Sequence, residues 1–378
     1  MSMVNSRQRI ESIDLLRGLV MLLMTVDHLR DYVVPGDPVD LSHGRFCFFI
    51  VRWISHFCAP TFVLLAGLSV YFYGKKHTKS EVARFLWTRG AFLIFLELTI
   101  VSYAWYFDPT QFAFQVIWAL GASMLLLGCM IYAPPAVTLF FGIVTIGCHN
   151  LLNGFQSSSF LWAFVHQTGD YKILNCNVEM LYTLIPWVGV MFVGYGLGHF
   201  AWEHPRRNRL MLIGGVAMTL GFVALRWSNI YGDPTPWRPQ KDGWMTVASF
   251  LNCAKYPASL CFLLMTLGPM LVLFSYLNGG TIPSILKPLV TIGRVPLFYY
   301  LIHLYVIRFA AMGLAWVQTG DPFQGSWVNQ EKWVAAGFGI GLPALCLGAL
   351  VITGGLYYPC LWYDHVKSTR RSVWFKYI

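Results

Sequence analysis

The chain has 378 residues, of which 56% are hydrophobic and 12% charged, with a formal charge of +10 and a mean hydropathy of +0.55. Soluble domains carry about 25% charged residues, so a soluble globular fold is excluded and a polytopic membrane protein is implied. The positive charge does not point to nucleic acid, because the basic residues fall in short loops between apolar runs, where membrane orientation signals belong.

Span one is predicted over 12–33, with Ser12 as its N-cap and Asp14 and Arg17 as i, i+3 neighbours. Span two, 46–74, is too long for one straight crossing, and Pro60 is expected to break it into an outer half-helix and a main crossing. The basic loop from Gly74 to Arg84 leads into span three, 86–106, which holds a lone acid, Glu97, either protonated or paired. Spans four (112–132) and five (136–152) are joined by Pro134 and Pro135. A polar loop with His166, Asp170, Lys172 and Glu179 precedes span six, 181–201, where Gly194, Gly196 and Gly198 permit close helix packing. Span seven covers 210–228, and the long loop after it has the length of a functional segment. Spans eight, nine and ten cover 256–278, 288–312 and 332–358.

Ten spans place both termini on one side of the membrane. Most of the 27 Lys and Arg, including every densely basic segment, fall on that side, so the positive-inside rule puts both termini in the cytoplasm. The expectation is an all-α polytopic membrane protein of about ten transmembrane helices, a single domain over 1–378. The nine cysteines form no CxxC pair; Cys176 and Cys253, in two outer loops, are the pair available for a disulfide. No metal-ligand spacing, Gly-x-Ser-x-Gly motif or phosphate loop is present, so no metal is expected.

Ionisable groups inside membrane helices are costly unless they face a partner, a cavity or a substrate. Two clusters break the apolar pattern: Asp27-His28-Leu29-Arg30-Asp31 and Arg52-Trp53-Ile54-Ser55-His56. At a rise of about 1.5 Å per residue, Asp27 and His28 lie about 20 Å along span one, in the outer third of the bilayer. Span two enters from outside, so Arg52 and His56 share that depth and one polar site is expected. His28 and Asp31 stand at i, i+3, and an imidazole held by a carboxylate is a general-base arrangement. The plainer alternative makes Asp27 and Arg30 a buried pair that ties helices together.

Span nine adds Arg294 near the inner face, able to snorkel or to bind phosphate. It also adds Tyr299 and His303, which share a helix face and are expected to line the same cavity. Arg17 and Arg89, with Asp14, Arg84 and Arg294, ring the inner mouth, where positive charge receives an anionic cytosolic ligand. Trp118 is either an interface aromatic or a cavity wall. His43, in the first outer loop, is a further candidate.

Ser12-Ile-Asp14-Leu-Leu-Arg17-Gly18, Asp27-His28, His56-Phe-Cys-Ala-Pro60-Thr-Phe-Val-Leu-Leu-Ala-Gly67 and Gly293-Arg-Val-Pro-Leu-Phe-Tyr-Tyr-Leu-Ile-His303 together resemble the bacterial DUF1624 family. That family is similar to the catalytic part of heparan-alpha-glucosaminide N-acetyltransferase, within the transmembrane acyltransferase superfamily. The resemblance implies a bacterial inner-membrane enzyme that takes acetyl-CoA or another acyl-CoA from the cytosol. It passes the acyl group to a carbohydrate or other small hydroxyl or amine acceptor on the periplasmic side, and leaves room for a homodimer. In the heparan enzyme an Asn at the end of span one and a His in the next outer loop act in catalysis. Here the Asn position reads Asp27, and no His falls at the same spacing; His43 is the nearest in that loop. His56, His28, Asp27 and Asp31 are therefore the catalytic candidates, with a covalent acyl-His step left open. Arg30, Arg52, Trp118, Arg294, Tyr299, His303, Arg17 and Arg89 are the binding candidates. The competing expectations are a proton-coupled transporter that uses Asp27, His28 and His56 as a relay, and a polar cluster that only holds helices together.

Overall fold

The computed structural model describes residues 10–34, 46–323 and 338–370. Helix α1 (Glu11–Val33) runs the length of the bundle, and its beginning and finish define a proximal and a distal end. Helices α2 (Phe46–Ser55) and α3 (Cys58–Gly74) return to the proximal end. The chain breaks between them at His56 and Phe57, three residues ahead of the expected proline. Pro60 has no N–H to offer the His56 carbonyl, so a continuous helix fails at that point.

Helix α4 (Lys79–Leu96) continues through a π-helical turn (Glu97–Val101) into α5 (Ser102–Tyr106). Strand β1 (Gln111–Phe114) and α6 (Val116–Met130) follow, then α7 (Pro135–Cys148), a 3-10 turn (His149–Gly154) and α8 (Phe160–Val165). Strands β2 (Gly169–Ile173) and β3 (Cys176–Met180) lead into α9 (Leu184–Leu197) and α10 (Arg207–Ser228). The rest is helical: α11 (Gly243–Leu251), α12 (Leu260–Leu277), α13 (Lys287–Arg294), α14 (Pro296–Thr319) and α15 (Leu342–Thr369).

Among the described residues, eight helical stretches are long and apolar enough to cross a membrane: 46–74, 79–106, 135–154, 184–202, 207–228, 260–277, 296–319 and 342–369. The other two expected spans are α1, whose 23 residues carry several charges, and α6, an apolar helix of 15 residues. Four expectations need correction. Span four is shortened because β1 takes its first residues. Span nine is two helices: Pro296 cannot continue α13 and forces Val295 out of the helical region, to φ −129°. Span ten lies at 342–369, and 332–337 fall outside the described residues. The fold is also not purely α: a three-stranded sheet, ordered β1-β3-β2, pairs β1 parallel and β2 antiparallel to β3. Its strands turn Phe114, Val178 and Met180 into a small core with Ala163. Cys176 and Cys253 are both free thiols.

Two close crossings set the helix positions around the site. A Cβ on Gly293 would fall 1.8 Å from the Asp14 carbonyl oxygen, and one on Gly18 would fall 1.9 Å from that of Leu289, so α13 lies directly on α1. On α9, Gly194 faces the Leu64 carbonyl, Gly198 the Tyr71 ring and Gly196 the Leu139 side chain, which brings α3 and α7 against it as the glycine spacing implied.

Candidate active site

A cavity of about 430 Å³ opens in the distal half of the bundle. Helix α1 contributes Asp27, His28, Arg30 and Asp31, and α2 contributes Arg52. The two polar clusters of the first two expected spans therefore meet, as their depths required. Arg30 lies between both acids, 2.8 Å from Asp27 Oδ1 and 2.5 Å from Asp31 Oδ1. The Asp31 contact is a hydrogen bond, whereas the Asp27 contact is a close ion pair without hydrogen-bond alignment.

The partner of His28 is not the expected carboxylate. His28 Nδ1 lies 2.9 Å from His303 Nε2, and Asp31 is engaged by Arg30 instead. His303 is fully buried, and its Nδ1 lies 2.5 Å from the Tyr300 carbonyl oxygen and 3.2 Å from that of Tyr299. Carbonyls only accept, so His303 Nδ1 carries the proton and its Nε2 is an acceptor. His28 Nδ1 must then donate to it, which leaves a lone pair on His28 Nε2. The tautomer is assigned from this network. Trp105 meets the His28 ring edge-on, with ring centroids 5.0 Å apart.

Other candidates lie near the cavity without lining it. His56 is buried against Phe262, and neither ring nitrogen has a partner among the described residues. Trp118 donates its indole N–H to the Tyr182 carbonyl, and its backbone N–H to Glu97 Oε2 at 2.8 Å. Glu97 is thus hydrogen-bonded to the start of α6, and its other oxygen, Oε1, is buried without a hydrogen-bond partner among the described residues. The Tyr299 hydroxyl bonds Thr25 at 2.6 Å and Thr353 at 3.1 Å, so its side chain lies on the proximal side of the cavity; Tyr300 is the neighbour that lines it.

The cationic candidates of the proximal end are far from this site. Arg294 pairs with Asp364 at 3.4 Å, Glu11 at 3.7 Å and Asp14 at 4.0 Å. Arg17 reaches Asp14 at 3.4 Å and the Ser69 hydroxyl at 2.5 Å. The Arg89 guanidinium stacks over Phe85. None of the three lines the cavity. His43 lies outside the described residues.

Sequence reasoning missed what the distal loops supply. Lys255, in the turn before α12, places Nζ 3.9 Å from Asp27 Oδ2. Burial alone would depress its pKa, but Tyr256 and Asp27 hold it above the usual lysine value against repulsion from Arg52. Glu179 of β3 accepts a hydrogen bond from the Tyr106 hydroxyl, and burial pushes its carboxyl up. The loop that delivers Lys255 is built on Arg226, a buried residue of α10. Its guanidinium donates to the carbonyls of Phe250 (2.9 Å), Thr235 (2.7 Å), Ser249 (3.1 Å) and Asn252 (2.9 Å), and lies 3.3 Å from Asp233. Asp233 in turn accepts from Ala254 N–H at 2.9 Å and the Ser259 hydroxyl at 2.7 Å. The signal available in the sequence was an Arg late in span seven and an Asp soon after it, bracketing the long loop.

A model of the catalytic part of heparan-alpha-glucosaminide N-acetyltransferase matches residues 9–227, more than half of the chain. The chain belongs to this family. The match covers α1 to α10, including every cavity residue of α1 and α2, whereas Lys255 and His303 lie beyond it. Membership makes the protein a transmembrane acetyltransferase-type enzyme and implies acetyl-CoA as the co-substrate of the family in general. None of the curated proteins compared matches the chain.

Proposed function

We propose that the protein moves an acyl group, acetyl by family, from acyl-CoA to a hydroxyl or amine acceptor, with His28 as general base. The observation that carries this reading is the contact from His28 Nδ1 to His303 Nε2. It leaves the Nε2 lone pair of His28 on a cavity residue and fixes the ring behind it. The acceptor gives its proton to His28 Nε2 as it attacks the thioester carbonyl. The tetrahedral intermediate then expels the CoA thiolate, which takes the proton back from the imidazolium. Asp27 and Asp31, both held by Arg30, supply negative charge beside that imidazolium rather than orienting the ring.

The proximal end faces the cytoplasm in this reading, supported by its basic loops, and the membrane is the bacterial inner membrane. The cavity has room for the thioester end of the donor and a small acceptor but not for a whole CoA. The donor arm must therefore pass the layer formed by Thr25, Tyr299 and Thr353. Purified protein in proteoliposomes, given acetyl-CoA on one side and an amino sugar on the other, tests the reading. Release of free CoA with acetylation across the membrane, lost in His28→Ala, is expected. No consumption of acetyl-CoA at millimolar concentration, the upper range of ordinary KM values, refutes it.

A further inference from the structure

We propose that Arg52 and Lys255 form an oxyanion-binding subsite in the cavity, and that the molecule taking the acyl group carries a carboxylate or phosphate seated there. The second clause rests on the acyltransferase reading; the subsite itself is testable without turnover.

Among the described residues, three Lys and Arg side chains line the cavity: Arg30, Arg52 and Lys255. Arg30 is engaged between two carboxylates. Arg52 makes no ion pair among the described residues, and its Nε is buried without a hydrogen-bond partner. The nearest carboxylate to Lys255 among the described residues is Asp27 at 3.9 Å, whose other oxygen already pairs with Arg30 at 2.8 Å, and the ammonium also lies 5.2 Å from the centre of the Tyr256 ring. The Lys255 side chain is 13% exposed, so bulk water does little to screen it. Charges removed from water require partners, and two cavity-lining cations that lack a full counter-ion among the described residues leave a place for an anion. A guanidinium fork beside an ammonium suits a compact oxyanion, since Arg contributes paired N–H donors and Lys a point charge.

The subsite is fixed in advance. Arg226 and Asp233 tie down the backbone around Ala254, so Lys255 enters the cavity from a folded loop. The anion belongs to the acceptor and not to CoA because the cavity is in the distal half, opposite the end from which the donor comes.

The test uses full-length protein in nanodiscs and measures binding of glucose 6-phosphate against glucose. A second arm compares phosphatidylglycerol with phosphatidylcholine nanodiscs, which separates a soluble acceptor from a lipid headgroup. Tighter binding of either anionic probe over its neutral counterpart is expected, weakening with salt. Arg52→Gln and Lys255→Gln should each weaken it by about tenfold or more, as loss of a charge-assisted contact implies, and Arg52→Lys should recover part of the loss if the fold is intact. If neither anionic probe binds better than its neutral partner, or if the Gln variants bind as the wild type does, the subsite is disproved. Anion binding without acetyl transfer to any acceptor supports the subsite and counts against the acyltransferase reading instead.

Discussion

His28 and His303, 275 positions apart in sequence, share one hydrogen bond of 2.9 Å. In the proposed mechanism the second imidazole would take the part that a carboxylate plays in a Ser-His-Asp triad. It selects the tautomer and holds the ring, but it carries no charge of its own to steady the imidazolium. Arg30, Asp27 and Asp31 supply the local field.

Removing the base should therefore cost more than loosening it. His28→Ala is expected to lower acetyl-CoA turnover by about 10² to 10⁴, the range for a general base. His303→Gln keeps an acceptor for His28 Nδ1 and should retain part of the rate, whereas His303→Leu should approach the His28 variant. Steady-state kinetics on the purified variants decide this, and equal rates for the Gln and Leu variants would remove the orienting role.

His56 provides a contrast within the same motif. It is buried, does not line the cavity, and both ring nitrogens lack partners among the described residues. A buried polar group without a partner carries a desolvation cost of about 1–3 kcal/mol. His56→Phe is expected to keep turnover and to hold or raise the thermal midpoint. Loss of turnover in this variant would return His56 to the chemistry.

Glu97 offers a stability test. Its carboxyl group accepts the Trp118 N–H where α6 begins, and a typical intramolecular hydrogen bond contributes about 0.5–1.5 kcal/mol. Glu97→Gln should lower stability by about that amount or less, and Glu97→Ala by more, read as denaturant midpoints in detergent. Equal midpoints for all three proteins would mean that the contact contributes nothing.

The α1–α13 crossing is more severe. With a new Cβ 1.8 Å from the Asp14 carbonyl oxygen, Gly293→Ala must separate the helices. Overpacking typically costs about 1–3 kcal/mol, and here backbone meets backbone, so a value at or above the top of that range is expected. An Ala variant with a wild-type melting curve would contradict the crossing.

A pH dependence follows from His166, which lies in the loops outside the spans. Burial depresses its pKa, against a hydrogen bond with the backbone at Ile185, from the ordinary 6.5. The unfolded chain therefore takes the proton first. Its contribution is complete above about 6.5 and is lost as the pH falls from there toward the lower folded value. The thermal midpoint should drop between pH 7 and pH 5, and His166→Gln should flatten that drop. An unchanged slope would show that His166 does not titrate as its burial implies.

The membrane character, the broken second span and the meeting of α1 with α2 were legible from apolar run length, a proline and helical rise. These are local quantities. The partner of His28 was not legible, because Asp31 at i, i+3 is a plausible holder on helix geometry alone. Only the tertiary position of Arg30 shows that this acid is occupied. Lys255 was hidden for a related reason: it stands in a loop, and its approach to Asp27 depends on Arg226 drawing four carbonyls together. The proximal cations were read as a ring able to receive an anionic ligand, yet Arg294 already has three carboxylates beside it, which only the tertiary structure shows. The small sheet escaped because strands of four and five residues give too short an alternation to stand out beside long apolar helices.

The parallel pairing of β1 with β3 fixes an order of assembly. Two strands separated by α6, α7 and α8 are non-local partners, and pairing of that kind forms after local structure. Tyr106 and Glu179 therefore stay apart while the ribosome makes the first half of the chain. The chamber also needs Lys255, Tyr256 and Tyr300, so its walls are complete only once most of the chain has been made.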